Sequence, residues 1–506
     1  MSSQALQQSL GETEVFELVC DYLRTRKFYQ AEQALLHERQ IALDNSPKHE
    51  SAAHRNQASA LPHLKPSRLE SLLERSYVTS LVSGEGDVIE SPKHGRTHLD
   101  GNTDDIERRE EDIENEEYGL STQLVSFEAC KDDPHGSATM PIYQTSTFAQ
   151  KSATEFGAYD YTRSGNPTRA ALERQMAELE KGHRAFAFTS GMAALSAISR
   201  LAKAGDQIVL SDDSYGGTYR LLSKLTAKNG VIVKYCDFSG VDGPANLRAV
   251  INTETKLVMM ESPTNPMQRL CDIAGLAAVA HEFGALLSVD NTMMSPILQN
   301  PLVLGADICM HSATKFVCGH SDTMSGIVIA KDAELCRDLY FVQNAEGTGL
   351  APMDCWLLLR GIKTMGLRVL TAQSNAMRVA AFLASTPAVT KIYYAGLPSY
   401  KDKALHDNQA RGAGSVITFE TGNLKFSQHI VTTTKLFKIT VSFGSVNSLI
   451  SLPGVMSHAS IPEEVRKARA FPEDLIRLSI GIEDVQDLIN DLQRAFQSYD
   501  ATATTN

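Results

Sequence analysis

The stretch "ADICMHSATKFVCGHSD", residues 306–322, decides the fold class because it joins an apolar run to a cluster of small polar side chains. The run "ADICM" has the length and composition of a buried strand, and Ser312, Thr314 and Lys315 follow it directly. Most lysines are solvated surface groups. A lysine at a strand end, among side chains too short to shield it, is open to close approach by a ligand. We therefore predict a functional lysine at the carboxyl end of a buried strand.

Short apolar runs of the same kind alternate with helical stretches beyond about residue 180. They are "RAFAFTS", "QIVLSDD", "VIVKYCDF", "KLVMMES", "ALLSVDNT", "ADICMHS" and "GIVIAKD". This alternation is typical of a mostly parallel sheet covered by helices, so we predict a large α/β domain over 181–365. A long helix and the runs "GAGSVITFE", "FKITVSFG" and "LIRLSIGIE" come next, and they predict a smaller α+β domain over 366–500.

Length and composition exclude several classes of protein. The 506 residues are 42% hydrophobic and 21% charged, which is enough for a large core and more than one domain. No apolar run reaches the roughly 18 residues of a spanning helix, and a net charge of -12 argues against binding to nucleic acid or acidic membranes. The eight cysteines have no spacing typical of metal ligands, so we predict reduced thiols and no metal site. The amino terminus has no signal pattern, which favours the cytosol.

The first part of the chain differs from the rest in composition. The stretch "EVFELVCDYLRTRKFYQAEQALLHE" has apolar residues at helical spacing and predicts a helical hairpin over 12–40. With Leu23, Phe28 and Leu35 in place, it resembles the LisH motif, a small dimerising module. Residues 41–120 are polar and include the acidic run "DDIERREEDIENEEYG", which predicts a largely disordered linker.

Several predicted strands are followed by residues that suit one cofactor. In "TSGMAAL" the amides of Gly191 and Met192 open an Ala-rich helix, where a phosphate can bind. Tyr215 lies beside two glycines, and Asp290 follows the run "LLSV". Each residue alone has an ordinary explanation as a cap, a turn or loop packing. Together with Lys315 they provide an anion site, a flat ring, a carboxylate and an amine, which are the groups that pyridoxal phosphate needs.

Seven motifs then occur in order between about residue 121 and residue 498. They are "YDYTRSGNPTR", "FTSGMAAL", "ESPTNP", "VDNT", "HSATKFVCGHSD", "MSHASIP" and "IRLSIGIED". With these motifs the chain resembles the pyridoxal-phosphate enzymes of cysteine and methionine metabolism, the cystathionine lyase and synthase family. The resemblance implies the fold of the type I aminotransferases, and it implies that Lys315 binds pyridoxal 5'-phosphate covalently as a Schiff base.

The resemblance also assigns roles to individual residues. The implied cofactor-binding residues are Tyr161, Arg163, Gly191, Met192, Tyr215, Asp290, Ser312, Thr314 and Lys315. Lys315 and Tyr215 are the implied catalytic residues, and Arg477, Ser442 and Asn265 are the implied substrate-binding residues, with Arg477 taking the substrate carboxylate. Tyr161 and Arg163 are expected to reach the cofactor phosphate of a neighbouring subunit. Residues 121–180 would then be an arm in a homo-oligomer, a tetramer built from dimers.

Within the family, the sequence favours elimination at Cβ. Enzymes that act at Cγ carry a glutamate before the pocket serine, in an "ESLGG" context, whereas this chain has Val441 in "VSFGSVNSL". "GLAPMDCWLLLRGIKT" and "VSFGSV" look most like the plant β-lyases, which implies cleavage of L-cystathionine to homocysteine, pyruvate and ammonia.

Two other functions stay open. One is the γ-lyase or γ-synthase activity of the same family. The other, from a different class, is a LisH-bearing scaffold with an inactive enzyme-like domain. Plant-type members carry a plastid transit peptide, so the plastid is the alternative compartment to the cytosol.

Overall fold

A computed structural model describes residues 118–127, 133–457, Glu464 and 471–499. The predicted LisH-like hairpin and nearly all of the predicted linker lie outside these ranges, as does most of the motif "MSHASIP". Within the described ranges, every helix is too short or too polar to cross a lipid bilayer.

Each of the seven apolar runs forms a strand of the larger sheet, which confirms those predictions. The strands are β1 (Arg184–Phe188), β2 (Gln207–Ser211), β3 (Ile232–Cys236), β4 (Thr255–Glu261), β5 (Leu286–Asp290), β6 (Ile308–His311) and β7 (Gly326–Ala330). Their order across the sheet is β1-β7-β6-β5-β4-β2-β3. Only β7 runs antiparallel to its neighbours, and the pairs from β6 to β3 are all parallel. The predicted α/β class is therefore correct.

Helices precede, connect and follow these strands. They are α1 (Leu120–Val125), α2 (Pro167–Glu180), α3 (Gly191–Ser199), α4 (Gly216–Leu221), α5 (Gly243–Arg248), α6 (Ile273–Glu282), α7 (Ser295–Leu298), α8 (Ala333–Glu346), α9 (Pro352–Ile362) and α10 (Met365–Ala384). Two apolar clusters bury the sheet. On β4, Val258 and Met260 belong to one cluster and Leu257 and Met259 to the other. Because successive side chains point to opposite faces, both faces of the sheet are covered, which explains why the strands read as continuous apolar runs.

A smaller sheet follows α10. Its elements are β8 (Lys391–Tyr393), α11 (Lys403–Gln409), β9 (Val416–Glu420), α12 (Leu424–Thr433), β10 (Lys438–Ile439), β11 (Leu449–Ser451), β12 (Ile476–Ser479) and α13 (Val485–Gln497). The strands lie in the order β10-β11-β12-β9-β8, and all pairs except β10–β11 are antiparallel. In the run "FKITVSFG" only the second and third residues are in the sheet, and Ser442 and Gly444, further along the run, contact Lys315.

The topology brings the predicted site residues to one edge. Gly191 follows β1, Tyr215 follows β2, Asn265 follows β4, Asp290 ends β5 and Lys315 follows β6. These strands run in the same direction, so their carboxyl ends meet at the same edge of the sheet, where ligands bind in open α/β sheets.

Candidate active site

Lys315 lies in a tight turn after β6, with its amide donating to the Ser312 carbonyl at 3.0 Å. Its Nζ donates to Ser442 Oγ at 2.5 Å. Burial and the nearby charge of Arg477 lower the pKa of Lys315 from 10.5 to about 8, and the charge of Asp290 opposes that change. Roughly a tenth of the amine is therefore uncharged at pH 7, far more than for an ordinary lysine, and the uncharged form is the one that attacks an aldehyde or removes a proton.

Arg477 on β12 is the main cation facing this lysine. It is 2% exposed, and its guanidinium donates to Asn265 Oδ1 at 2.9 Å and to the carbonyls of Val441 and Ser442, both at 3.0 Å. Among the residues that the structure describes, no carboxylate lies within ion-pair distance of it. Burial lowers the pKa of Arg477 to about 10. A buried guanidinium with only neutral acceptors is suited to bind the carboxylate of a ligand.

Asp290 provides the carboxylate at the end of β5. Its Oδ1 accepts bonds from the Thr292 amide, at 3.0 Å, and from the Thr292 hydroxyl. Burial raises the pKa of Asp290, whereas the Thr292 bonds and the charges of His311 and Lys315 lower it. A partly buried carboxylate of this kind can pair with a protonated ring nitrogen.

The anion site predicted from "TSGMAAL" would lie at the amino terminus of α3. Ser190 caps the helix, with its Oγ accepting from the Ala193 amide at 3.1 Å. The amides of Gly191 and Met192 precede the first bond within the helix. A Cβ at Gly191 would lie 3.0 Å from both Cβ and Oγ of Ser312. Glycine therefore lets the Ser312 hydroxyl approach the helix terminus, and this cradle fits a phosphate.

Tyr215 lies beside this cradle, half-buried. A Cβ at Gly217 would be 2.3 Å from Tyr215 Cε1 and 2.9 Å from the Met192 sulfur. The ring therefore packs against the glycine and close to the start of α3, which suits the predicted stacking role.

Three of the predicted cofactor residues have other contacts in this structure. Thr314 Oγ1 donates to the Ser325 carbonyl at 3.2 Å and accepts from the Ser325 amide at 2.9 Å, so it would have to exchange a bond to bind phosphate. Tyr161 is 46% exposed. The Arg163 guanidinium lies 5.5 Å from the Tyr161 ring centre and donates to Asn344. Both side chains are thus on the surface of this chain.

Glu261, which the sequence reasoning missed, joins two of the site loops. It ends β4 as the register partner of Asp290 and is 6% exposed. Its two oxygens accept from the amides of Tyr215, at 2.6 Å, and Asn265, at 3.3 Å. Burial and the neighbouring Asp290 raise the pKa of Glu261 well above its usual range. The sequence does contain a signal for this residue: Glu261 directly follows the apolar run "KLVMM", just as Asp290 follows "LLSV".

The segment after β10 contains the predicted Ser442, and two residues that the sequence reasoning did not single out, Phe443 and Gly444, also lie at the site. Gly444 has φ +79°, and a Cβ there would lie 3.0 Å from Lys315 Cβ and 2.9 Å from the Phe316 amide nitrogen. Only glycine is readily accommodated at this backbone geometry and distance. The preceding Phe443 is buried, with its ring centre 5.0 Å from Lys315 Nζ and 5.4 Å from Arg477 Cζ.

A second polar cluster lies where the end of α2 meets β6. Glu180, Cys309 and His311 are all buried, and their side-chain atoms are close enough to hold a metal ion. However, Glu180 pairs with His311 Nε2 at 2.6 Å and accepts from the amide groups of Asn291, at 2.9 Å, and Asn300, at 3.0 Å. These hydrogen bonds account for the buried carboxylate without an ion.

Comparison with known proteins gives consistent results. The family described as "Cys/Met metabolism PLP-dependent enzyme" matches residues 121–497. The chain is 54% identical over 412 residues to "Cystathionine beta-lyase, chloroplastic" of Arabidopsis thaliana, covering 81% of this chain and 88% of that one. It is 48% identical over 390 residues to "Cystathionine beta-lyase" of Neurospora crassa, covering 77% and 84%.

A solved structure agrees with these sequence relatives. Cystathionine gamma-lyase from Lactobacillus plantarum, complexed with L-serine, superposes with a TM-score of 0.73 at 40% identity, covering 75% of this chain and 99% of that one. The phosphate cradle at Gly191, the ring of Tyr215, the carboxylate of Asp290 and the amine of Lys315 also fit the cofactor of this family. The chain therefore belongs to the pyridoxal-phosphate-dependent enzymes of cysteine and methionine metabolism.

Proposed function

We propose that this chain cleaves the Cβ–S bond of L-cystathionine by β-elimination and releases homocysteine, pyruvate and ammonia. The observation that carries the proposal is the double role of Ser442. Its hydroxyl accepts from Lys315 and its carbonyl accepts from Arg477. Ser442 thus keeps the Lys315 amine beside the Arg477 guanidinium. An enzyme that removes the Cα proton of an amino acid needs its base and its carboxylate-binding group close together in this way.

The chain's own groups have distinct tasks in this reaction. Arg477 binds the substrate carboxylate and thereby orients the Cα–H bond toward Lys315. The uncharged Nζ of Lys315 takes the Cα proton, and the Ser442 hydroxyl holds that amine in place. Asp290 keeps the ring nitrogen of the cofactor protonated. The bound cofactor supplies the electron sink for the pair that the proton leaves behind.

Bond cleavage then needs no further acid or base at Cβ. The homocysteine thiolate leaves with the electrons of the Cβ–S bond and takes up a proton. The remaining three-carbon fragment is hydrolysed to pyruvate and ammonia.

Val441 supports cleavage at Cβ rather than at Cγ. Its side chain is 58% exposed, beside Ser442, while its carbonyl is bonded to Arg477. Elimination at Cγ requires additional proton transfer at Cβ, which a polar pocket group would assist. An isopropyl group cannot take part in proton transfer. The relatives named beta-lyase support the same choice, whereas the structural neighbour named gamma-lyase keeps the γ reaction as the second candidate.

The 2-oxo acid product distinguishes the two reactions. With L-cystathionine as the substrate, chromatography should detect pyruvate with homocysteine, and predominant 2-oxobutyrate with cysteine would contradict the β assignment. Val441→Glu is the matched variant, and it should raise the proportion of 2-oxobutyrate if this position governs the choice. A γ-synthase would instead condense cysteine with an activated homoserine ester.

The scaffold alternative predicts a protein without bound cofactor. Lys315, Asp290 and Arg477 all stand in suitable positions, which disfavours an inactive domain. The purified protein should absorb visible light through its bound cofactor, and that absorbance should change in Lys315→Ala. A colourless protein that stays colourless with added pyridoxal phosphate would favour the scaffold.

We propose further that the active unit is a homo-oligomer in which Tyr161 and Arg163 complete a partner's site, with a tetramer as the full assembly. The exposure of both side chains on this chain supports it. Arg163→Ala and Lys315→Ala variants, each inactive alone, should regain part of the activity when they are co-expressed, because mixed pairs contain one intact site. Failure to complement would place Arg163 in its own subunit's site.

The LisH-like segment is proposed as an additional self-association or partner-binding element, and the cytosol as the compartment, with the plastid as alternative. Deletion of residues 1–117 should leave cofactor binding and turnover intact while changing the assembly seen by light scattering. Loss of cofactor binding would show that this segment builds the site. A fluorescent fusion of the full chain would establish the compartment.

A further inference from the structure

The Phe443 ring contacts both cations of the candidate site. Its centre lies 5.0 Å from the Lys315 ammonium and 5.4 Å from the central carbon of the Arg477 guanidinium. Both distances are within the roughly 6 Å at which a ring face attracts a cation. The neighbouring Phe316 ring packs against Phe443 in a tilted arrangement, with the ring centres 6.1 Å apart.

These contacts occur where two positive charges would otherwise repel each other. The charge of Arg477 is one of the causes that lower the pKa of Lys315. Phe443 is 8% exposed, so little water reaches the ring to screen that repulsion. An aromatic face stabilises nearby positive charge, whereas an aliphatic side chain of similar size does not.

The backbone around Phe443 restricts where the ring can go. Ser442 bonds to Lys315 through its hydroxyl and to Arg477 through its carbonyl. On the other side, Gly444 packs directly against Lys315 Cβ. The Phe443 ring is therefore held between Ser442 and Gly444, whose own contacts fix their positions.

We propose that Phe443 is a positioning residue that sets the separation of the Lys315 amine and the Arg477 carboxylate receptor through cation–π contacts with both. The inference rests on the proposed function only in assuming that Arg477 receives a carboxylate. The reacting groups remain Lys315 and Arg477, and Phe443 acts through them.

The test replaces Phe443 with Leu, which keeps an apolar side chain but removes the π face. The first measurement is the pH dependence of the rate at which cofactor-free protein takes up pyridoxal phosphate, because this rate follows the uncharged fraction of Lys315. Without the π face the ammonium form of Lys315 is less stable, so its pKa should fall. The midpoint should therefore move to lower pH by about 0.4 to 1.5 pH units. The second measurement is competitive inhibition by propionate, a carboxylate that cannot react, whose inhibition constant should rise at least about two-fold.

Two further variants separate positioning from packing. Phe443→Tyr keeps the π face and should retain both wild-type values. Phe316→Leu removes an equal volume from the neighbouring ring, which has no cation–π contact among the described residues. It should lower the free energy of unfolding without moving the midpoint of cofactor uptake. If Phe443→Leu does not fold, pentafluorophenylalanine at position 443 keeps the shape of the ring while reversing its quadrupole, and it should shift the midpoint in the same direction.

The inference fails if Phe443→Leu or the fluorinated ring leaves both values unchanged, or if Phe316→Leu shifts the midpoint equally. The uptake midpoint does not depend on which bond of the substrate is cleaved. An error in the β-lyase proposal would therefore appear in the product assay and not in this one.

Discussion

Replacing Lys315 with methionine should make the cofactor-free protein more stable while removing its activity. The pKa of this lysine falls from 10.5 to about 8 in the folded chain, because burial and Arg477 disfavour the ammonium. Each pH unit of displacement corresponds to about 1.4 kcal/mol, so holding the charged amine in the folded state costs roughly 3 kcal/mol. Methionine has a stem of similar length and no charge. It should therefore raise the free energy of unfolding by about 2 to 3 kcal/mol at pH 7.

The pH dependence of this gain follows from the direction of the pKa change. Below about pH 8 the lysine is protonated in both folded and unfolded chains, so the full cost is present. Between pH 8 and 10.5 the folded chain has already lost the proton that the unfolded chain still binds, and the cost declines. The difference between the variant and the wild type should therefore be largest at neutral pH and should shrink as the pH rises toward 10.5.

Urea unfolding of both cofactor-free proteins at pH 7 and pH 10 measures this difference, provided that the slopes with denaturant agree. Lys256→Met is the matched control, since Lys256 is exposed on β4 and its replacement should produce no such pH dependence. Turnover of L-cystathionine should fall by at least about 10²-fold, because the base is lost. A Lys315→Met protein that is no more stable than wild type at pH 7, or whose gain is the same at both pH values, would refute the reasoning.

Three other changes test the remaining groups of the site. Arg477→Lys should raise KM for the substrate by about ten-fold or more, because an ammonium cannot bind a carboxylate through two parallel bonds, and steady-state kinetics would detect it. Asp290→Asn keeps an acceptor for the Thr292 amide but loses the charge, so the cofactor should dissociate faster on dialysis, and unchanged retention would argue against the ring-nitrogen role. Glu261→Ala leaves the amides of Tyr215 and Asn265 without their acceptor and should lower the free energy of unfolding by about 2 kcal/mol or more, measured in urea.

The larger sheet could be predicted from the sequence because its strands are buried on both faces. Leu257 and Val258 point to opposite sides and are both covered, so β4 reads as an uninterrupted apolar run. The same logic located Asp290 and Lys315, since a polar residue directly after such a run must lie at the sheet edge. The reversed direction of β7 is not encoded in its own residues, because strand direction depends on the connection that precedes it.

The smaller sheet and the contacts between the two sheets were harder to predict. β8 and β11 have three residues each, which is too short to show a period. Residues 441–444 have strand-like composition but lie outside the sheet, and the carbonyls of Val441 and Ser442 accept hydrogen bonds from Arg477 instead. These contacts form between positions far apart in the sequence, so local patterns contain no trace of them. The role of Arg477 came from family resemblance alone.

The distance along the chain between partners in the site also matters while the protein is being synthesised. Lys315 and Ser442 are 127 positions apart, and Asn265 and Arg477 are 212 positions apart. During synthesis Lys315 leaves the ribosome well before Arg477 does. A chain that is terminated early, or cut by a protease after Phe443, would therefore keep Lys315 but would lose Arg477, which binds the carboxylate and also helps to lower the pKa of the lysine. Selectivity for the substrate and the reactivity of the amine are therefore both properties of the completed polypeptide.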